Sequence, residues 1–198
     1  MRFNEQDTDA LGEIINIGVG RAASSLSDLI GTRIDLRVPI VSTVECQVAD
    51  ERTEAGMSIM QSFDGEVSGN ALLVFPTDSG KKLAGLLGGY GPDDEIPELE
   101  ISGILSEVGN IVLNGVLGSF ANAIESDLIY TVPDFYVQET ITSLMKKRNS
   151  QLDETTQSVL LADTEFSVET HDIRGSVVVA FHLSSFASLL EHLAALQA

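Results

Sequence analysis

The chain has 198 residues, 43% of them hydrophobic, which is enough apolar material for a sizeable core. Eleven Lys and Arg face thirty Asp and Glu, a formal net charge of −19. Such a surface repels phosphates, which argues against a nucleic-acid partner and against docking on an anionic membrane. Cys46 is the single cysteine, so no internal disulfide and no cysteine-based zinc site is expected. Met1 to Asp7 hold no apolar run of the signal-peptide kind, and a cytoplasmic protein is expected.

In chain order, the spacing predicts a helix from about Asp7 to Ile30. Leu11, Ile14, Ile15, Gly18, Ala22, Leu26 and Leu29 fall on one stripe. Asp9, Glu13, Asn16 and Gly20 lie together on the opposite face. Thr32 to Val48 reads as extended, being rich in Val, Ile and Thr. Met57 to Phe63 and Glu66 to Phe75 read as a hairpin turning at Asp64-Gly65. A helix over Ser79 to Leu87 leads to a Gly-, Pro- and acid-rich linker, Gly88 to Pro97. A second long helix runs from about Ile101 to Ile124. Its uncharged stretch from Val108 to Ile124 carries Asn110, Asn114 and Asn122, falls short of the ~20 apolar residues of a membrane span and reads as a core helix. Strands follow near Ile129 to Gln138, Val159 to Glu169 and Ile173 to Phe181, then a helix over Ser184 to Leu196.

Two halves of this list look alike. An offset of 94 residues takes Glu13, Asn16 and Pro39 to Glu107, Asn110 and Pro133. An offset of 106 takes Gly69-Asn70-Ala71-Leu72-Leu73-Val74-Phe75 to Gly175-Ser176-Val177-Val178-Val179-Ala180-Phe181. The chain therefore reads as one domain made of two repeats, about 1–98 and 99–198, with some twelve additional residues in the second half, expected near Leu144 to Thr156. That segment holds the basic run Lys146-Lys147-Arg148.

The repeated Glu and Asn sit at i and i+3, so their side chains are neighbours on one helix surface. A single polar pair of this kind is usually plain solvated surface. Its recurrence at the same geometry, on a face opposite Leu105, Val108, Val112, Val116 and Phe120, argues for a role. Neither residue is a nucleophile of the usual kind. His171, His182 and His192 occur in the second half alone, and no metal-binding motif is present. A carboxamide can, however, donate and accept hydrogen bonds and so orient a water, as a glutamine does in GTPases.

The pattern Asp9-x3-Glu13-x2-Asn16-x22-Pro39, with its second copy Glu107-x2-Asn110-x22-Pro133, resembles the active-site signature of the CheC/CheX/FliY chemotaxis phosphatases. Two copies in one chain resemble the CheC type. The resemblance implies an α/β-type (α+β) fold with pseudo-twofold halves, antiparallel sheet and the signature helices packed on it. It implies a hydrolase that removes the aspartyl phosphate of the response regulator CheY. By that resemblance Asn16 and Asn110 align the hydrolytic water, and Glu13 and Glu107 pair with the regulator's lysine. Asp9, Pro39 and Pro133 support the sites. No cofactor is bound by the chain itself; Mg²⁺ and the phosphorylated aspartate come with the regulator. CheD is a further implied partner, and a monomer is expected because the duplication supplies the pairing that a one-site relative gains by dimerising. Gly103 stands where the first copy has Asp9, and Asn114 where it has Gly20, so the first site is expected to carry more of the activity. The alternatives are an adaptor that binds phosphorylated CheY or CheD without turnover, or a flagellar-switch component of the FliM kind, to whose GGxG element Gly88-Gly89-Tyr90-Gly91 bears a resemblance.

Overall fold

The computed structural model describes residues 5–45, 56–91, 94–140, 143–144, 158–182, 188–191 and 194. Helix α1 (Glu5–Ile30) is followed by β1 (Asp35–Leu36), β2 (Ile40–Glu45), β3 (Met57–Gly65), β4 (Gly69–Phe75) and α2 (Thr77–Gly88). Then come α3 (Glu98–Ala123), β5 (Leu128–Tyr130), β6 (Asp134–Val137), β7 (Ser158–Val168), a 3₁₀ turn (Glu169–His171) and β8 (Ile173–Phe181). The eight strands form an antiparallel sheet in the order β1-β7-β8-β4-β3-β5, with β2 also on β7 and β6 also on β3. This is an α+β architecture, as expected.

The pairing registers repeat between the halves. Leu36 lies opposite Phe166 and Ile40 opposite Asp163; Tyr130 lies opposite Phe63 and Asp134 opposite Met60. One offset, 94, carries β1 and β2 onto β5 and β6, and another, 103, carries β3 onto β7. At the centre Leu72 pairs with Val178, its own counterpart at the offset of 106, so the pseudo-twofold passes through the β4–β8 pair. Aromatic contacts obey the same relation. The Phe63 and Phe181 rings meet edge-on at 5.8 Å, and their counterparts Phe166 and Phe75 do so at 5.7 Å.

Alternation along the strands sorts the two faces. Ile59, Phe63, Ala71, Leu73, Phe75, Ala162, Phe166, Val177, Val179 and Phe181 join α1, α2 and α3 in the main core. Met60, Leu72, Val74, Leu161, Val178 and Ala180 point to the other face, where Leu144 joins them. Small residues let the helices come close. A Cβ on Gly109 would stand 2.3 Å from Ile59 Cγ2, and one on Gly18 would stand 3.0 Å from the Val116 carbonyl oxygen. Among the described residues α3 is the one helix long and apolar enough to cross a membrane. It is packed instead against both α1 and the sheet, burying Leu105, Val108, Val112, Leu113, Val116, Leu117 and Phe120.

Several expectations are corrected. Thr32 to Val48 is not one strand: β1 and β2 are separated at Val38-Pro39, and residues beyond Glu45 lie outside the described ones. Ile129 to Gln138 is divided in the same way at Val132-Pro133. The hairpin does not turn at Asp64-Gly65. Those residues stay in β3 because they pair with Ile129 and Leu128 of β5, and the chain reverses over Glu66 to Ser68. Gly65 is needed for close approach, since a Cβ there would stand 2.8 Å from the Asp127 carbonyl oxygen. Leu29, placed on the apolar stripe, is 47% exposed. The growth from 94 to 106 is divided as well: nine positions accrue before β7 and three in the β7–β8 connection, where the 3₁₀ turn lies. Residues 188–191 and 194 are helical; the rest of the carboxy-terminal helix, Cys46, His192 and Lys146-Lys147-Arg148 lie outside the described residues.

Gly109→Ala should destabilise the fold by about 1–3 kcal/mol, because the new methyl meets the body of Ile59 rather than a flexible tip. Gly118→Ala, on the same helix with open space at its Cβ, should stabilise it by about 1 kcal/mol. Urea unfolding of the two variants beside the parent checks the pair.

His182 ties the end of β8 to the β3–β4 connection. Its backbone N–H donates to the Ser68 carbonyl (3.0 Å), its Nδ1 lies 3.3 Å from Ser68 Oγ, and its Nε2 lies 3.2 Å from Asn70 Nδ2. Asn70 Oδ1 already accepts from Ser62 (2.8 Å), so Asn70 donates to an unprotonated Nε2 and the ring proton belongs on Nδ1. Burial holds the imidazole pKa below its ordinary 6.5, with the Asp64 carboxylate opposing. The unfolded chain therefore binds the extra proton first. Stability is full above about 6.5 and is lost as the pH falls through the lower folded value. The urea midpoint should drop between about pH 7.5 and about pH 5.5, and drop less in His182→Gln.

Candidate functional site

Helix α1 turns Leu11, Ile14, Ile15, Gly18, Val19, Ala22 and Leu26 inward. That commitment leaves Asp9, Glu13 and Gly20 exposed and Asn16 half-buried on the far side. Helix α3 repeats the arrangement: Gly103, Glu107 and Asn114 are exposed and Asn110 is half-buried. The two helices cross antiparallel, with Gly18 beside Val116 and Ser119, and Ala22 beside Gly115. Arg21 Nη1 donates to Ser119 Oγ across the crossing (3.2 Å). The Glu13/Asn16 and Glu107/Asn110 pairs therefore lie toward opposite ends of the helix pair, as two separate sites.

A broken edge strand runs beside each pair. In the first half Arg37 N–H donates to the Glu165 carbonyl (3.0 Å), the ladder stops at Val38-Pro39, and pairing resumes with Ile40 opposite Asp163. In the second half Thr131 N–H donates to the Ser62 carbonyl (3.0 Å), the ladder stops at Val132-Pro133, and pairing resumes with Asp134 opposite Met60. A proline has no N–H for the ladder, which is why the interruption falls there in both copies. Pro39 is buried and Pro133 half-buried. The preceding valines are turned out: Val38 is 78% and Val132 81% exposed. The Gly12 Cβ position lies 3.7 Å from Val41, so β2 passes α1 at the level of Glu13.

The second site contains a feature that the motif alone does not reveal. Gln61, only 2% exposed, rises from β3 on the helix side of the sheet. Its Nε2 donates to the Thr131 carbonyl (2.9 Å) and to Asn114 Oδ1 (2.9 Å), and Asn114 Nδ2 donates to Asn110 Oδ1 (2.7 Å). The sequence signal was a polar residue at an inward position of the alternation Met57, Ile59, Gln61, Phe63. At the first site the corresponding positions hold Thr164 and Gly20, and among the described residues neither the buried Thr164 hydroxyl nor Gln61 Oε1 has a hydrogen-bond partner.

Other sequence features resolve into structure. Gly89 adopts φ 73° and ends α2, the Tyr90 N–H reaches back to the Gly85 carbonyl (2.9 Å), and the Tyr90 hydroxyl donates to Glu100. The Gly-rich element is thus a helix stop. His171 and His182 belong to the ends of β7 and β8 and lie apart from the Glu/Asn faces. Among the described residues no group of three or more His, Cys, Asp or Glu is arranged to hold a metal ion.

Comparison with known proteins follows the same lines. The sequence profile of the CheC-like family matches residues 7–43, which span α1, β1 and the start of β2. The CheY-P phosphatase CheC of Bacillus subtilis is 24% identical over 177 residues, 85% of this chain and 84% of that protein. Among solved structures, Thermotoga maritima FliY superposes with a TM-score of 0.73 over 98% of both chains at 18% identity. A chain of the CheX-CheY-BeF3-Mg²⁺ complex from Borrelia burgdorferi gives 0.60 over 85% of this chain and 97% of that one at 19% identity. At these identities the structural matches show the fold alone, while the profile and the Bacillus subtilis relative make the chain similar in sequence to the CheC type.

Proposed function

We propose that this chain is a phosphatase of the aspartyl phosphate on the response regulator CheY, with one hydrolytic site on α1 and one on α3. The observation that carries the reading is the Glu/Asn pair presented twice, each time on the solvent side of a helix whose other side is locked into the core. The name of the Bacillus subtilis relative supports the substrate.

The chemistry needs little from this chain. Attack of water on phosphorus forms a P–O bond and breaks the bond to the aspartate oxygen, releasing inorganic phosphate and a carboxylate. Such transfers are accelerated mainly by alignment and electrostatics. Asn16 and Asn110 would hold the water in line through their carboxamides. Glu13 and Glu107 would pair with the regulator's lysine and fix the docking register. The regulator brings the phosphorylated aspartate and the Mg²⁺. Asp9 would add a polar group to the first site, and Pro39 and Pro133 would shape the strand breaks beside both. The reading includes two repeats, about 1–98 and 99–198, in a monomer working in the cytoplasm, with CheD as a second partner.

The double variant Asn16→Ala with Asn110→Ala should abolish phosphate release while changing stability by no more than ~0.5 kcal/mol per site, since neither side chain is in the core. Counting phosphate released per chain separates catalysis from sequestration: the parent should exceed two turnovers, and retained parental turnover in the double variant removes the water-aligning role.

Glu13→Gln with Glu107→Gln keeps shape and removes charge. A protein of net charge −19 repels an acidic partner unless specific cations of that partner meet specific carboxylates. Affinity for the regulator should fall at least tenfold, about 1.4 kcal/mol, and its salt dependence should flatten. Titration of labelled regulator at two ionic strengths reads both; an unchanged affinity and slope would return these carboxylates to plain solvated surface.

A further inference from the structure

The hydrogen bonds beneath Asn110 have a direction fixed by the backbone. The Thr131 carbonyl can only accept, so the Gln61 atom facing it is Nε2. That same nitrogen meets Asn114, whose facing atom must then be Oδ1, which turns Asn114 Nδ2 toward Asn110. The atom of Asn110 that receives it is Oδ1. The Nδ2 of Asn110 is thereby turned away from the relay, and Oδ1 keeps one lone pair.

We propose that Asn114 and Gln61 are positioning residues that fix the carboxamide of Asn110, so that the second site is held in one orientation before the partner arrives and the first is not. The proposal rests on the reading of Asn110 as a water-aligning residue. Gly20 offers no donor to Asn16, and Thr164 is too short to rise through the core as Gln61 does; the relay of the second site runs through Gln61 Nε2 alone, Oε1 having no partner among the described residues. The contrast runs against the expectation drawn from Asp9 and Gly103. The second site lacks the acidic group but has the ordered amide.

The test uses the Asn16→Ala chain, in which the second site acts alone, and two replacements at the exposed Asn114. Asn114→Ala removes the donor. Asn114→Asp is nearly isosteric and still accepts from Gln61, but it presents an oxygen where Asn110 needs a donor, so the Asn110 amide should swing round. The side-chain amide signals of Asn110 report its order and orientation by NMR without any need for turnover. Asn114→Ala should mobilise that amide and lower kcat roughly three- to tenfold with KM unchanged. Asn114→Asp should lower kcat further despite its conserved shape, which a merely structural role would not produce. An Asn110 amide equally ordered in the parent and in Asn114→Ala overturns the proposal whatever the activity, and a mobilised amide with unchanged kcat overturns the positioning role. If Asn110→Ala itself leaves turnover intact in this background, it is the water-aligning reading that falls, while the NMR result still decides the brace.

Discussion

The register of β4 against β8 governs the arrangement of everything else. With Leu72 opposite its own counterpart Val178, each half of the sheet is laid out from the same centre. β4 throughout and β8 from Val177 to Phe181 are buried on both faces, so a slip of one residue would exchange the residues that meet the helices for those that meet Leu144. The register therefore sets where β3 and β7 lie, where the broken edge strands lie beyond them, and which sides of α1 and α3 are free. Close contacts such as Gly109 on Ile59 then fix the helices in rotation. The Glu/Asn faces are the sides left over once those demands are met.

Much of this was legible in the sequence, because the repeat is written in residues with strong local meaning. A glutamate, an asparagine and a proline recur at one offset, the same one that relates the registers of β1 and β2 to those of β5 and β6. The long helices were visible from their apolar period, and the exposure of Glu13 and Glu107 follows from it. What was not legible depends on pairing across the chain. Asp64-Gly65 has ordinary turn chemistry, and only the arrival of β5 keeps those residues in the ladder. Leu29 has the right period but lies at the last turn of α1, beyond the part that is covered.

The candidate sites show the same division. Their helical residues were readable one by one, but Gln61 was not, since nothing local says that a polar residue in a strand will meet Asn114 fifty-three positions away. The two sites match in strand register and in their Glu/Asn pairs but differ underneath. A buried amide with two partners in one half is matched by a threonine with an unpaired hydroxyl in the other. Each side also leaves one buried oxygen without a partner among the described residues, the Thr164 hydroxyl and Gln61 Oε1, at a desolvation cost of about 1–3 kcal/mol apiece.

The strand interruptions at Pro39 and Pro133 have a consequence beyond the sites they adjoin. β1 with β2, and β5 with β6, form the two margins of the sheet, and among the described residues no margin strand exceeds six residues. A long, flat, apolar margin offers unpaired backbone groups to any other extended chain and templates aggregation. Here each margin is cut by a residue that cannot donate, which shortens and bends the edge that a foreign strand would need. The feature that gives each helix face its flanking valine is thus also a device that works against edge-to-edge addition.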